Sequence, residues 1–128
     1  MNLNQVTFPV KNMAAACQFY LQLGLTQIVA SEHYARFLCP EGDATFSLSL
    51  DPEHQANGAT IYFEIERLDE KVERLKSKGL TFLQLPTDQR YLWREAILED
   101  PSGNKIKLFS AGENRKNPPW RVNITLSE

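Results

Sequence analysis

The segment DQRYLWREA, Asp88–Ala96, holds the densest concentration of polar and aromatic side chains in this 128-residue chain. Trp93 can supply a flat wall for an organic molecule, and Arg94 can meet an anionic group with paired donors. Both can equally serve a dimer contact or cover a sheet edge, and Tyr34 and Phe37 admit the same two readings. Glu64 is a candidate base, and Tyr62, Lys107 and Arg94 are candidate electrostatic groups for isomerisation, elimination or proton transfer. No nucleophile, base and orienting residue occur together in a recognisable pattern. His33 and His54 lie in segments of loop composition, and Glu53 beside His54 lacks a visible third ligand. Both histidines are therefore expected on the surface, with no metal between them.

These side chains must be positioned by an internal repeat. NQVTFPVKNMAAACQFYLQLGLT aligns with ATIYFEIERLDEKVERLKSKGLT at a constant offset of 55 residues, the interval from Val6 to Ile61. Phe8 then matches Phe63, Val10 matches Ile65, Cys17 matches Val72, and Gly24-Leu25-Thr26 recurs as Gly79-Leu80-Thr81. Each copy opens with period-two alternation, which marks a strand, and passes into spacing of three or four, which marks a helix. Gly24 and Gly79 suit left-handed helix ends. TQIVA, YARFLC and ATFSLSL follow as strands in the first copy, and TFLQL, LWREAILE and KIKLF in the second. Neither half has enough residues for its own core, so the two are expected to share one curved sheet with helices on its outer face.

Strand parity sorts the candidates. If Val6, Phe8 and Val10 pack under a helix, Gln5 and Thr7 face the other way. By the same rule Ser47, Thr60, Tyr62, Glu64, Lys107 and Phe109 share the second face. Its mixture of polar and aromatic groups suits either a small-molecule pocket or the solvated side of an antiparallel sheet. Lys107 is expected to enter the pocket beside an acidic or polar neighbour, with Glu64 as the candidate.

A formal net charge of -2 and a pI near 5.7 leave no electrostatic footprint for nucleic acid. The apolar runs are too short to span a membrane, and the N-terminus lacks a secretory pattern, so a cytoplasmic protein is expected. Cys17 and Cys39 read as free, buried small hydrophobes.

The opening strand LNQVTFPV, FYLQLGL at the end of the first helix, the second unit ATIYFEIERLDEKVERLKSKG and the closing LEDPSGNKIKLF together resemble the vicinal oxygen chelate superfamily. That family includes glyoxalase I, fosfomycin resistance enzymes, extradiol dioxygenases and bleomycin resistance proteins. The resemblance runs from Leu3 to Phe109, and the DPSGN turn with its following strand is its most specific piece. It implies an α+β fold of paired βαβββ modules, about 3–50 and 59–110, forming a cupped mixed sheet, with a C-terminal extension over 111–128. It also implies a homodimer whose chains help build each pocket. The metal positions of relatives fall here on Gln5, Ser47, Thr60 and Lys107. Gln5 suits the family, but the other three do not, and a protonated lysine would repel a divalent cation.

The leading expectation is therefore metal-independent binding of a small organic molecule, in sequestration or resistance, with no cofactor. A metal-independent isomerase or lyase-like enzyme and a dimeric interaction protein are the alternatives. The extension AGENRKNPPWRVNITLSE has no counterpart after the first module. Trp120 and the apolar pattern of WRVNITL predict that it docks, with a short edge strand as one form.

Overall fold

Asn12 starts the first helix because its side-chain oxygen accepts the Ala15 N–H at 3.0 Å, satisfying a donor that no helical carbonyl reaches. Gly24 ends it at φ 117°, where a β-carbon would be strained. Between them, α1 (Met13–Leu23) buries Ala16, Phe19, Tyr20 and Leu23. The second helix, α2 (Leu68–Ser77), has acidic Asp69 and Glu70 in its first turn and basic Arg74 and Lys76 in its last, matching the helix dipole. It buries Leu68, Val72 and Leu75.

Residues 1–126 are described by the computed structural model; Ser127 and Glu128, the end of the extension, lie outside the described residues. In the first module, β1 (Gln5–Val10) and α1 are followed by β2 (Thr26–Ala30), β3 (Tyr34–Leu38) and β4 (Thr45–Leu50). In the second, β5 (Thr60–Glu64) and α2 are followed by β6 (Gln84–Asp88), β7 (Arg94–Glu99) and β8 (Lys105–Ser110). The sixth strand sits later than TFLQL would place it and contains Pro86, which only an edge position tolerates well.

One cupped sheet shared by both modules is not what forms. The strands make two separate four-stranded sheets, β1-β4-β3-β2 and β5-β8-β7-β6, and neither closes on itself. In each module the first strand pairs in parallel with the last and with nothing else. Each ladder is thus complete within its own module, so the modules join through side chains and a turn instead of a continuous sheet. Their helix-facing sides merge in one apolar cluster, in which Phe46 and Phe63 meet edge to face at 5.9 Å.

The joining turn is DPSGN. Asp100, 4% exposed, accepts the backbone N–H groups of Ser102 and Asn104, the Asn104 amide and the Tyr20 hydroxyl, the last at 2.8 Å. Asn104 also donates to the Pro9 carbonyl at 2.9 Å, and the Ser102 hydroxyl accepts the Lys11 N–H at 2.8 Å. Four donors on one buried carboxylate offset its desolvation and tie the second module to α1 and β1. His54 belongs to the same junction: its Nε2 donates to Asn104 Oδ1 at 2.9 Å and the residue is buried, correcting the expected surface position. His33 is exposed. Cys17 and Cys39 are free and partly buried, and burial raises both thiols above their ordinary value.

After β8 a short 3-10 helix spans Gly112–Arg115. The chain then runs on as an extended arm whose Trp120, Val122, Ile124 and Leu126 are all exposed, so it does not dock on its own body.

Candidate aromatic and charged face of the second sheet

In β5, β7 and β8, registers Tyr62–Lys107–Ile97 and Glu64–Phe109–Glu95 place these residues on the side of the sheet away from α2. The turn before β7 adds two more. Leu92 takes φ 69°, rare for a branched side chain, and Gln89 N–H reaches the Trp93 carbonyl at 2.8 Å. Trp93 stacks on Phe109 at 4.6 Å and 19°, and Tyr62 meets both rings edge-on at 5.9 and 5.6 Å. Tyr91 packs edge-on against Trp93 at 5.9 Å. The Trp93 indole N–H is held by the Asn114 carbonyl at 3.1 Å, which fixes the ring.

Beside this aromatic cluster Lys107 Nζ lies 3.1 Å from Glu95 Oε2, and the Tyr91 hydroxyl donates to Glu95 Oε1 at 2.6 Å. Lys107 Nζ also stands 5.4 Å from the centre of the Tyr62 ring, within cation–π range. Burial pulls the lysine down, but its bond to and charge attraction by Glu95 outweigh that and leave it above its ordinary value. Tyr91 is raised by burial and by the same carboxylate.

The corresponding face of the first sheet carries a smaller polar cluster. Ser47, fully buried, receives the Gln5 amide at 2.5 Å and shares a hydrogen bond with the Tyr34 hydroxyl at 2.6 Å; Arg36 Nε donates to that hydroxyl at 3.0 Å. The bonds from Ser47 and Arg36 lower Tyr34. Gln5 also accepts from Thr45, and its amide reaches Thr7 Oγ1 at 3.3 Å.

The candidates therefore separate. Tyr62, Trp93, Lys107 and Phe109 come together on the second sheet, and Gln5, Thr7, Tyr34 and Ser47 on the first. Thr60 lies at the far end of β5, level with Lys105. Glu64 is not the partner of Lys107; it faces Arg115 Nε at 3.3 Å. Phe37 is a core residue with no exposed surface, 6.1 Å from the Tyr20 ring centre, because three residues from Tyr34 puts it on the opposite face. Arg94 likewise points to the helix side, gripping Asp69 with two nitrogens at 2.9 and 3.0 Å and Asp88 with a third at 3.0 Å. These bonds raise Arg94 further above its ordinary value and occupy its donors.

Glu95, Tyr91 and Arg36 are the residues that sequence reasoning left out of the site. The alternation of Tyr91, Trp93 and Glu95 was the signal for the first two; Arg36 had none beyond its parity with Tyr34.

The residues at the family metal positions do not fit a divalent cation. Gln5 and Ser47 are bonded to each other, and Lys107 brings a positive charge already matched by Glu95. Among the described residues, no three His, Cys, Asp or Glu side chains gather into a metal-holding group. No helix among them is long and apolar enough to cross a membrane.

A sequence model described as the Glyoxalase/Bleomycin resistance protein/Dioxygenase superfamily matches residues 2–108. Among solved structures, a glyoxalase/bleomycin resistance protein/dioxygenase from Nocardioides is 18% identical, with a TM-score of 0.76 over 96% of this chain and 90% of that one. A lactoylglutathione lyase from Agrobacterium tumefaciens is 15% identical, with a TM-score of 0.71 over 85% of this chain and 92% of its own. A bleomycin-binding protein complexed with bleomycin is 18% identical, with a TM-score of 0.70 over 86% and 98%. At these identities the likeness is one of fold. No curated protein sequence matches the chain.

Proposed function

This chain belongs to the glyoxalase/bleomycin resistance protein/dioxygenase superfamily, and from that premise we propose that it binds a small organic molecule without a metal ion, in sequestration or resistance. The observation that carries this reading is the Trp93–Phe109 stack, edged by Tyr62 and flanked by the Lys107–Glu95 pair. Rigid stacked rings offer a planar ligand contact area at little cost in side-chain entropy, and a charged pair beside them supplies direction. Tyr62 and Tyr91 are 44% and 40% exposed, so the rim of the face is open to a ligand. A net charge of only -2 falls short of the strongly acidic groove that a cationic drug such as bleomycin would favour, which leaves bulky neutral or anionic ligands. The protein works as a cytoplasmic homodimer.

The test is titration of the metal-free protein with planar neutral and anionic compounds, followed by tryptophan fluorescence and calorimetry. Saturable binding that Trp93→Ala abolishes supports the reading. Binding that needs added zinc, nickel, manganese or iron, or stoichiometric metal in protein purified without supplementation, overturns it.

One observation favours a second reading. Glu95 is a buried carboxylate between a phenol and an ammonium, an arrangement that can hold or move a proton. A metal-independent isomerase or lyase activity would require turnover that Glu95→Gln removes while binding survives.

A further inference from the structure

The two modules repeat, yet their junctions differ. At one junction the DPSGN turn fills the space against α1 and β1, where Phe8 and Val10 are buried. At the equivalent place beside α2 and β5, the turn through Pro40, Glu41 and Gly42 lines a groove of about 1090 Å³ instead of filling it. Phe63 and Ile65, the repeat partners of Phe8 and Val10, remain only partly buried along it. No residue of β5 is buried, and its outer edge pairs with no strand. An open edge with apolar side chains is a template for another strand.

The chain carries a segment of the complementary kind. Trp120, Val122, Ile124 and Leu126 alternate with Arg121, Asn123 and Thr125, and the four apolar residues are 56%, 69%, 83% and 93% exposed. Among the described residues, the last backbone hydrogen bond joins Arg121 N–H to the Pro118 carbonyl, so the rest of the arm has its backbone groups free. Residues 120–126 extend about 23 Å, enough to run the length of β5 at about 3.3 Å per residue. Pro118 and Pro119 stiffen the base of the arm, which stands away from its own body.

We infer that the arm docks on a second copy of this chain, adding a strand to the open edge of β5 and laying its apolar side chains into the groove, reciprocally between two protomers. Strand addition supplies the missing backbone bonds, and a two-fold exchange is self-complementary. With the apolar residues turned toward Phe63 and Ile65, Arg121, Asn123 and Thr125 of the incoming arm stand on the Tyr62 side and line the ligand face. The inference rests on the self-association in the proposed function.

Hydrogen–deuterium exchange on the full chain, with mass measured by light scattering over a dilution series, tests it. The amides of residues 120–126 and of β5 should exchange at least about tenfold more slowly in the dimer than in the diluted monomer. Val122→Asp with Ile124→Asp, two exposed changes, should remove both protections and shift the mass toward monomer. A dimer whose arm exchanges freely overturns the inference and leaves self-association standing. A monomer at every concentration overturns both. Arm protection that is independent of concentration places the arm on its own body and overturns the exchange between copies.

Discussion

Lys107 and Glu95 form an ion pair at 3.1 Å with side-chain exposures of 18% and 2%, on neighbouring strands of the second sheet. Removing one partner leaves the other charge nearly buried. Lys107→Met is therefore expected to destabilise the protein by about 3–5 kcal/mol, whereas Lys107→Met with Glu95→Leu should recover most of that loss. Urea denaturation of the two variants against the parent measures it. Equal stability of parent and single variant would show that the pair is open to water.

The same groups set an alkaline limit. Lys107 and Tyr91 both have folded-state values raised above their ordinary ones, so the unfolded chain loses these protons first. Their contribution is full below the unfolded values, about 10, and is lost as pH rises through the folded ones. Unfolding midpoints between pH 8 and 11.5 should fall on the alkaline side, less steeply in Lys107→Met. A profile unchanged by the substitution would dismiss the coupling.

Tyr20 and Asp100 link the modules at 2.8 Å inside the core. Tyr20→Phe keeps the ring and removes the hydroxyl, which should cost about 1.5–3 kcal/mol as a bond to a charged acceptor. Ligand binding at Trp93 should be unaffected at temperatures where the variant is folded. Guanidinium unfolding and the same fluorescence titration separate the two effects.

Trp93 and Arg94 are adjacent in the chain and opposite in the sheet. Trp93→Ala should abolish binding of a planar compound, while Arg94→Ala, which removes only exposed ion pairs, should leave it within about twofold. Isothermal titration of both variants decides it. A ligand lost with Arg94 would move the site to the helix side.

Much of the fold is legible in the residues because burial imposes a period. Val6, Phe8 and Val10 repeat as Ile61, Phe63 and Ile65, each set followed by a helical stripe and a left-handed glycine, so two βαβββ units could be read without any contact being known. Parity also separates Tyr62, Lys107 and Phe109 from Ile106 and Leu108. It further opposes Tyr34 to Phe37 and Trp93 to Arg94, which rules two aromatic or cationic candidates out of the face once the strand register is set.

Alternation along one strand says which side a residue faces, but nothing about which strand lies next to it or how two sheets meet. That is why Glu95, ten residues earlier than Lys105 in the chain, emerged as the partner of Lys107 only when β7 paired with β8. It is also why His54 proved buried against Asn104, and why two open sheets stand where one cupped sheet was expected. The chain by itself determined the repeat, the elements and the sidedness of each strand, since these follow from local periodicity. Only tertiary structure decided the charge pairs, the junction at Asp100 and the groove beside β5, because those depend on contacts between segments far apart in sequence.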